Sequence, residues 1–370
     1  MKQCFLFFAL AWFSISCSHK TTGSFKFASP NPTNLAGGPL QNASRAGSLV
    51  SVKKLLKQGE DINGIDKMGY TPLAAAAETN QLEVASYLLR NGAQVSLKNK
   101  ENVSALSRAV NRGQVKMCSL LLDKGAGVDA IDSLGISLLG RATFIDNLEI
   151  VKMLIAHGAD VNAKDKYQWP AIVYAAGNGR LDILKYFIDN GANLYATTSS
   201  GLTAIDFAAE YGQEESITML VKAGVSINFY NKDSVTPLEM VLDVPGPMDS
   251  VKRMEVLRFM LDNGADPNQL NKKKGISLHT VAYSGHSELG KILIEHGANV
   301  NATDRFGETP LHIAVTKNRL AMAELLIDKK ANINAKDING KTPLDLVSPF
   351  DHEMKRLIII NDGLNSPFVK

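Results

Sequence analysis

The chain has 370 residues, 45% of them hydrophobic and 21% charged, with a formal net charge of +3. This composition can bury a continuous core and excludes a disordered chain, and so small a basic excess argues against a nucleic-acid binder. The N-terminus differs from all that follows. Met1 and Lys2 lead into an apolar run from Cys4 to Phe13, which closes on Ser14-Ile15-Ser16-Cys17. One basic residue, about a dozen apolar residues and then small residues is the layout of an export signal. A bilayer-spanning helix needs roughly 20 apolar residues, so the run falls short of a permanent span. An uncleaved anchor or a buried helix is the alternative reading.

This segment also resembles a bacterial lipoprotein signal, in which small residues precede a cysteine that is acylated and becomes the mature N-terminus. Ser16 and Cys17 fit that pattern, and Ser14 departs from the leucine usual at its position. The resemblance implies lipidation at Cys17 and a place in the bacterial envelope, periplasm or outer membrane, with Ser18 as the non-acidic residue that accompanies outer-membrane sorting. Simple cleavage and secretion is the alternative. Only Cys4, Cys17 and Cys118 exist. If Cys17 carries lipid, Cys118 is the one remaining thiol, which leaves no intrachain disulfide and no cysteine-based metal site. Residues 18–39 are small, polar and turn-forming, a tether of roughly 25 Å at about 5–6 Å per root residue.

From residue 40 the chain is self-similar. Gly59, Gly92, Gly125, Gly158, Gly191 and Gly224 stand 33 residues apart, Gly264 follows 40 later and Gly297 another 33. An apolar pair precedes most of them, as in Leu88-Leu89, Leu121-Leu122 and Leu293-Ile294. A fixed period of this length marks a repeat architecture. The run Thr309-Pro310-Leu311-His312-Ile313-Ala314, with partial copies at Thr71-Pro72-Leu73, Thr236-Pro237-Leu238 and Thr342-Pro343-Leu344, resembles the signature of the ankyrin family. The resemblance covers about residues 40–360. It implies an all-α ankyrin-repeat solenoid of stacked helix-turn-helix units with β-hairpin-like finger loops.

Each motif element has a physical role. Pro310 suits a first helical turn, Thr309 caps it, and Leu311 and Ala314 share a face at i and i+3. The recurring glycine, Gly158 for example, sits where a helix must end in a left-handed residue. Eight repeats follow: 67–99, 100–132, 133–165, 166–198, 199–231, 232–271, 272–304 and 305–337. Residues 40–66 form a degenerate N-terminal repeat and 338–370 a C-terminal cap, so the repeat domain as a whole is 40–370. The 232–271 repeat holds seven extra residues, read as the loop Val244-Pro245-Gly246-Pro247-Met248-Asp249-Ser250 between its helices, because two prolines and a glycine oppose a helix.

The sequence holds no catalytic, metal or cofactor constellation. His279 and His312 share one repeat position, where histidines of the resembled family bond the loop backbone. His157 and His296 stand just before a helix-ending glycine, a favourable place for a cation. Cys118 lies in an apolar helix position and reads as core. An enzyme with a non-standard site near the 244–250 insertion, using Met248 and Asp249, is the alternative, as is an intracellular ankyrin effector if the signal is not used.

Arrays of the resembled family bind partner proteins with the hairpin tips and the concave side of the first helices. The positions that map there include Met68, Tyr70, Leu134, Ile136, Tyr167, Trp169, Leu202, Tyr211, Tyr230 and Phe306. They are mostly apolar or aromatic where a solvated loop should be polar, which marks an interaction site. The competing reading is repacking, with Trp169 beside Pro170, and Phe144 and Ile145 after an irregular first helix, turned inward. The expectation is a protein partner, with no nucleic acid, no small-molecule substrate and a membrane contact only through the lipid. The protein would serve as scaffold or as inhibitor or immunity-type protector.

Overall fold

The computed structural model describes residues 37–365 apart from 101, 133, 243–245 and 272–274, with side chains described as far as 361. The 1–17 signal with Cys17 and nearly all of the 18–39 tether lie outside the described residues. Among the described residues there are nineteen α-helices, one 3-10 turn and no strand. A single antiparallel bridge joins Ile131 and Ser137. The fold is an all-α repeat solenoid, in two compact units that meet in sequence at Gln168 and Trp169.

The first unit holds four helix pairs, among them Pro72–Glu78 with Leu82–Arg90 and Ala105–Asn111 with Val115–Asp123. In several repeats a side-chain cap fixes where the first helix starts. Thr71 Oγ1 accepts from Ala74 N at 3.0 Å and Ser137 Oγ from Gly140 N at 3.0 Å, each satisfying an otherwise orphaned donor. The second helix is amphipathic and sets Leu88, Leu121 and Leu154 into the core, fully buried with Leu73, Leu106 and Leu138 of the first helices. At roughly 25 cal/mol per Å² of apolar area, this burial is the main stabilising term.

The second unit begins with Ala171–Gly177 and Leu181–Asp189 and ends with Pro310–Thr316 and Leu320–Asp328, the turn Pro343–Leu346 and the closing helix His352–Asn365. Pro310 and Thr309 occupy the first-turn and cap positions that the motif predicts, and Leu311 and Ala314 are buried. His312 bridges two repeats, with Nδ1 at Thr309 and Nε2 at 3.1 Å from the Lys341 carbonyl, and His279 does the same toward Glu308. The helix-ending glycines adopt positive φ, Gly158 at 94°. No atom crowds a Cβ built there, so the backbone angle, not space, selects glycine. Lys330 takes that position in the 305–337 repeat at φ 68°.

The insertion departs from expectation. The second helix of the 232–271 repeat, Ser250–Asp262, has 13 residues where the second helices beside it have nine. Part of the added length is therefore an extra helical turn and not loop. Asp249 makes it possible by accepting from Lys252 N at 2.8 Å. The buried Arg253 guanidinium then donates to the Val241 and Met248 carbonyls and ties the new turn to the helix before it.

Candidate partner-binding surface

Several hairpins share one bracket. In the hairpins of Asp66, Asp132, Asn231, Asp304 and Asp337 the residue before the tip turns its side-chain oxygen onto backbone N–H groups two and four residues on. Asp66 Oδ1 accepts from Met68 N at 2.9 Å and Tyr70 N at 2.8 Å. Asp132 Oδ1 accepts from Leu134 N at 2.8 Å and Ile136 N at 3.0 Å. Asn231 and Asp304 repeat the pattern. Such Asx-type closure lets the turn form without help from its tip side chains. It also sends the two bracketed residues in different directions, the first outward and the second back against the first helices.

In the first unit Met68 and Leu134 accordingly remain 49% and 52% exposed, whereas Ile136 is only 9% exposed. The placement of Ile136 on the binding surface is corrected: its side chain packs beneath the hairpin. Val103 in the equivalent position and Phe144 on the first helix are buried too. Tyr167 is half-buried, its hydroxyl donating to the Leu134 carbonyl at 2.7 Å. Tyr70 is half-buried against two guanidiniums, Arg45 at 4.8 Å and Arg108 at 4.7 Å from its ring. Glu78 pairs with Arg108 at 3.5 Å and with Arg112. Arg141 donates from Nε to Asp132 Oδ2 at 2.6 Å and lies over Phe144.

In the second unit Trp169 is corrected as well. It is 7% exposed, with its ring 5.5 Å from that of Tyr174 and 4.9 Å edge-on from that of Phe207. Phe207 stacks on the half-buried Tyr211 at 6.2 Å. Repacking thus holds for Trp169 and Phe144. Leu202 is half-buried, and Tyr230 and Phe306 are exposed, Phe306 under Arg305 at 4.6 Å. Ile65, Leu270 and Ile338, further exposed apolar hairpin residues, are absent from the sequence-predicted set. So are Arg108 and Arg141 on the first helices of the first unit. These two lie 33 residues apart, a spacing that the period itself would have picked out.

Chemistry elsewhere is taken up by structure. Burial pushes the Cys118 thiol up to about 12, far from a nucleophile's range. A cleft beside the insertion is lined by Met248, Asp249, Arg253, Met254, His286 and Glu288. Its Asp249 carboxylate caps a helix and its Arg253 binds carbonyls. His157 and His296 turn Nδ1 onto the carbonyls of Met153 and Ile292, each at 2.8 Å. Burial raises the Asp206 carboxyl to about 6, against hydrogen bonds from the Thr203 N–H and hydroxyl, with Asn231 of the next hairpin beside it. Among the described residues no three His, Cys, Asp or Glu side chains gather as metal ligands, and no helix is long and apolar enough to cross a membrane.

A family model described as ankyrin repeats in three copies matches residues 24–99, 40–132, 88–165, 139–231 and 248–337. No curated protein matches the chain.

Proposed function

The chain belongs to the ankyrin-repeat family, whose arrays are protein–protein interaction modules, and from that premise we propose that it is a non-catalytic module gripping one partner protein with its hairpin tips and first-helix side. One observation carries the reading. Met68, Leu134 and Phe306 occupy the same tip position in three repeats and stay 49%, 52% and 42% exposed, although the bracketed hairpins need nothing from them. Large apolar side chains kept in water without a structural role favour an interface.

The site of action in this proposal is the bacterial envelope. The run from Met1 to Cys17 supports export, and Ser16-Cys17 supports a lipid anchor, with the small polar stretch behind it holding the repeats off the membrane surface. There the protein acts as a scaffold or as an inhibitor or immunity-type protector of an envelope protein.

Photo-crosslinking in the native host tests the reading. Benzoylphenylalanine in place of Leu134 should capture a discrete partner. The same group in place of Lys185, an exposed second-helix residue paired with Asp189 at 2.8 Å, should capture none. Capture from 185 and not from 134 puts the binding face on the other side and overturns the proposal. An activity assay on the captured partner, alone and with the protein, separates inhibitor from scaffold.

A further inference from the structure

Charge in the first unit is divided by side. Among the described residues between 37 and 168, the second helices and the loops behind them carry seven cations and seven carboxylates, whereas the hairpins and first helices carry nine cations and five carboxylates. The imbalance is larger at the surface than in the count. The hairpin carboxylates of Asp132 and Asp165 are buried, Asp132 accepting from two N–H groups of its own turn and from Arg141, and Asp165 from the Tyr167 N–H. The hairpin lysines Lys67, Lys98, Lys100 and Lys166 all stand exposed. Among the described residues the hairpins thus turn their acids inward and their bases outward.

We infer that this side of the first unit takes an acidic, extended protein segment laid across successive hairpins, a reading that rests on the partner-binding function proposed above. Three features specify it. First, the exposed lysines alternate with exposed apolar side chains. Met68 stands beside Lys67, and Leu134 precedes Gly135, whose carbonyl accepts from Lys166 N of the next hairpin at 3.1 Å. Second, cations also stand on the floor behind the tips, where the half-buried Arg108 lies over the Tyr70 ring and shares the single carboxylate of Glu78 with the exposed Arg112. A flat anionic bilayer reaches tips only, whereas a single chain in the groove reaches both. Third, the spacing suits an extended chain. Packed helix layers stand about 8–10 Å apart, and a chain in the extended polyproline II conformation rises about 3.1 Å per residue with three residues per turn, so every third residue of the segment faces the same side and meets a new hairpin. The fitting segment carries an acid at every third position with an apolar residue between acids.

The test uses the full chain and a labelled peptide repeating Glu-Ser-Leu, read by fluorescence anisotropy, with a Lys-Ser-Leu peptide as its opposite. The acidic peptide should bind, weakening as salt rises, and the basic one should not. Reversing two tips, Lys100→Glu with Lys166→Glu, should weaken binding about tenfold or more. Reversing Lys116→Glu with Lys124→Glu, both exposed on the second-helix side, should leave it nearly unchanged. All four positions are exposed, and circular dichroism checks that both variants stay folded. Equal binding of the two peptides, or equal weakening by the two reversals, overturns the inference. So does binding to phosphatidylserine vesicles without binding to the acidic peptide, which would make the ridge a lipid contact. If the peptide fails while crosslinks still arise from position 134, the binding face stands and only its acidic preference falls. If crosslinks arise from position 185 instead, the face itself is lost.

Discussion

Arg141 reaches from the first helix of its repeat to the carboxylate of Asp132 at the base of the hairpin, Nε to Oδ2 at 2.6 Å, while the other carboxylate oxygen holds the turn closed. One buried acid therefore fixes both the loop and its angle to the helix. Removing Arg141 leaves that acid buried with half its partners. Arg141→Met should destabilise the first unit by about 2–3 kcal/mol, the range for stranding a charged buried group. Adding Asp132→Asn should recover part of the loss, because the charge goes while the amide oxygen keeps accepting from the turn. Urea unfolding of the three variants checks this, and a double variant weaker than the sum of its parts contradicts it.

Tyr167 and Trp169 are two residues apart and should fail in different ways. Trp169→Ala opens the cluster with Tyr174 and Phe207 and should lower the stability of the second unit by about 3–5 kcal/mol. Tyr167→Ala removes a half-buried tip residue and one hydroxyl bond. Partner affinity should drop by about 2 kcal/mol or more, with little change in stability. Hydrogen exchange over residues 169–231 and affinity for the crosslinked partner separate the two effects.

That difference is not legible in the sequence, and the reason is physical. Tyr70, Ile136 and Trp169 sit in the same hairpins as Met68, Leu134 and Tyr167, and both sets are apolar or aromatic. Sequence spacing places both at the loop. Only the bracket, with its N–H donors two and four residues on, determines which side chain is thrown outward. The fold itself is legible because the 33-residue period, the caps at Thr71 and Thr309 and the helix-ending glycines all point to one architecture. The extra turn at Ser250–Asp262 is hidden because Gly246 and Pro247 read as loop, although Asp249 followed by Ser250 is a helix-start signal.

Stability of the second unit should depend on Asp206. Its folded carboxyl is raised to about 6, above the roughly 3.9 of an unfolded aspartate. The protonated form is thus the one the fold prefers. Its contribution is fully present below about pH 4 and is lost as pH rises through about 6, to the extent of about 2–3 kcal/mol. Asp206→Asn cannot lose its proton and should gain on the wild-type protein across that window. Denaturant midpoints for both proteins between about pH 4 and 7 decide it, and parallel curves would show that Asp206 does not titrate there.

Cys17→Ser should move the protein from the membrane fraction to the soluble one, as measured by fractionation of cells expressing the full chain. Membrane association that persists in the variant removes the lipid anchor from the proposal.

The Asx bracket separates what a hairpin is from what it displays. Since Asp66, Asp132 and Asp304 close their turns through backbone donors, the side chain two residues on can be exchanged without re-solving the fold around it. Methionine, leucine and phenylalanine already stand there in turn. A lineage carrying this scaffold can therefore edit its recognition surface one letter at a time, the turn beneath each change being held closed by its own bracket.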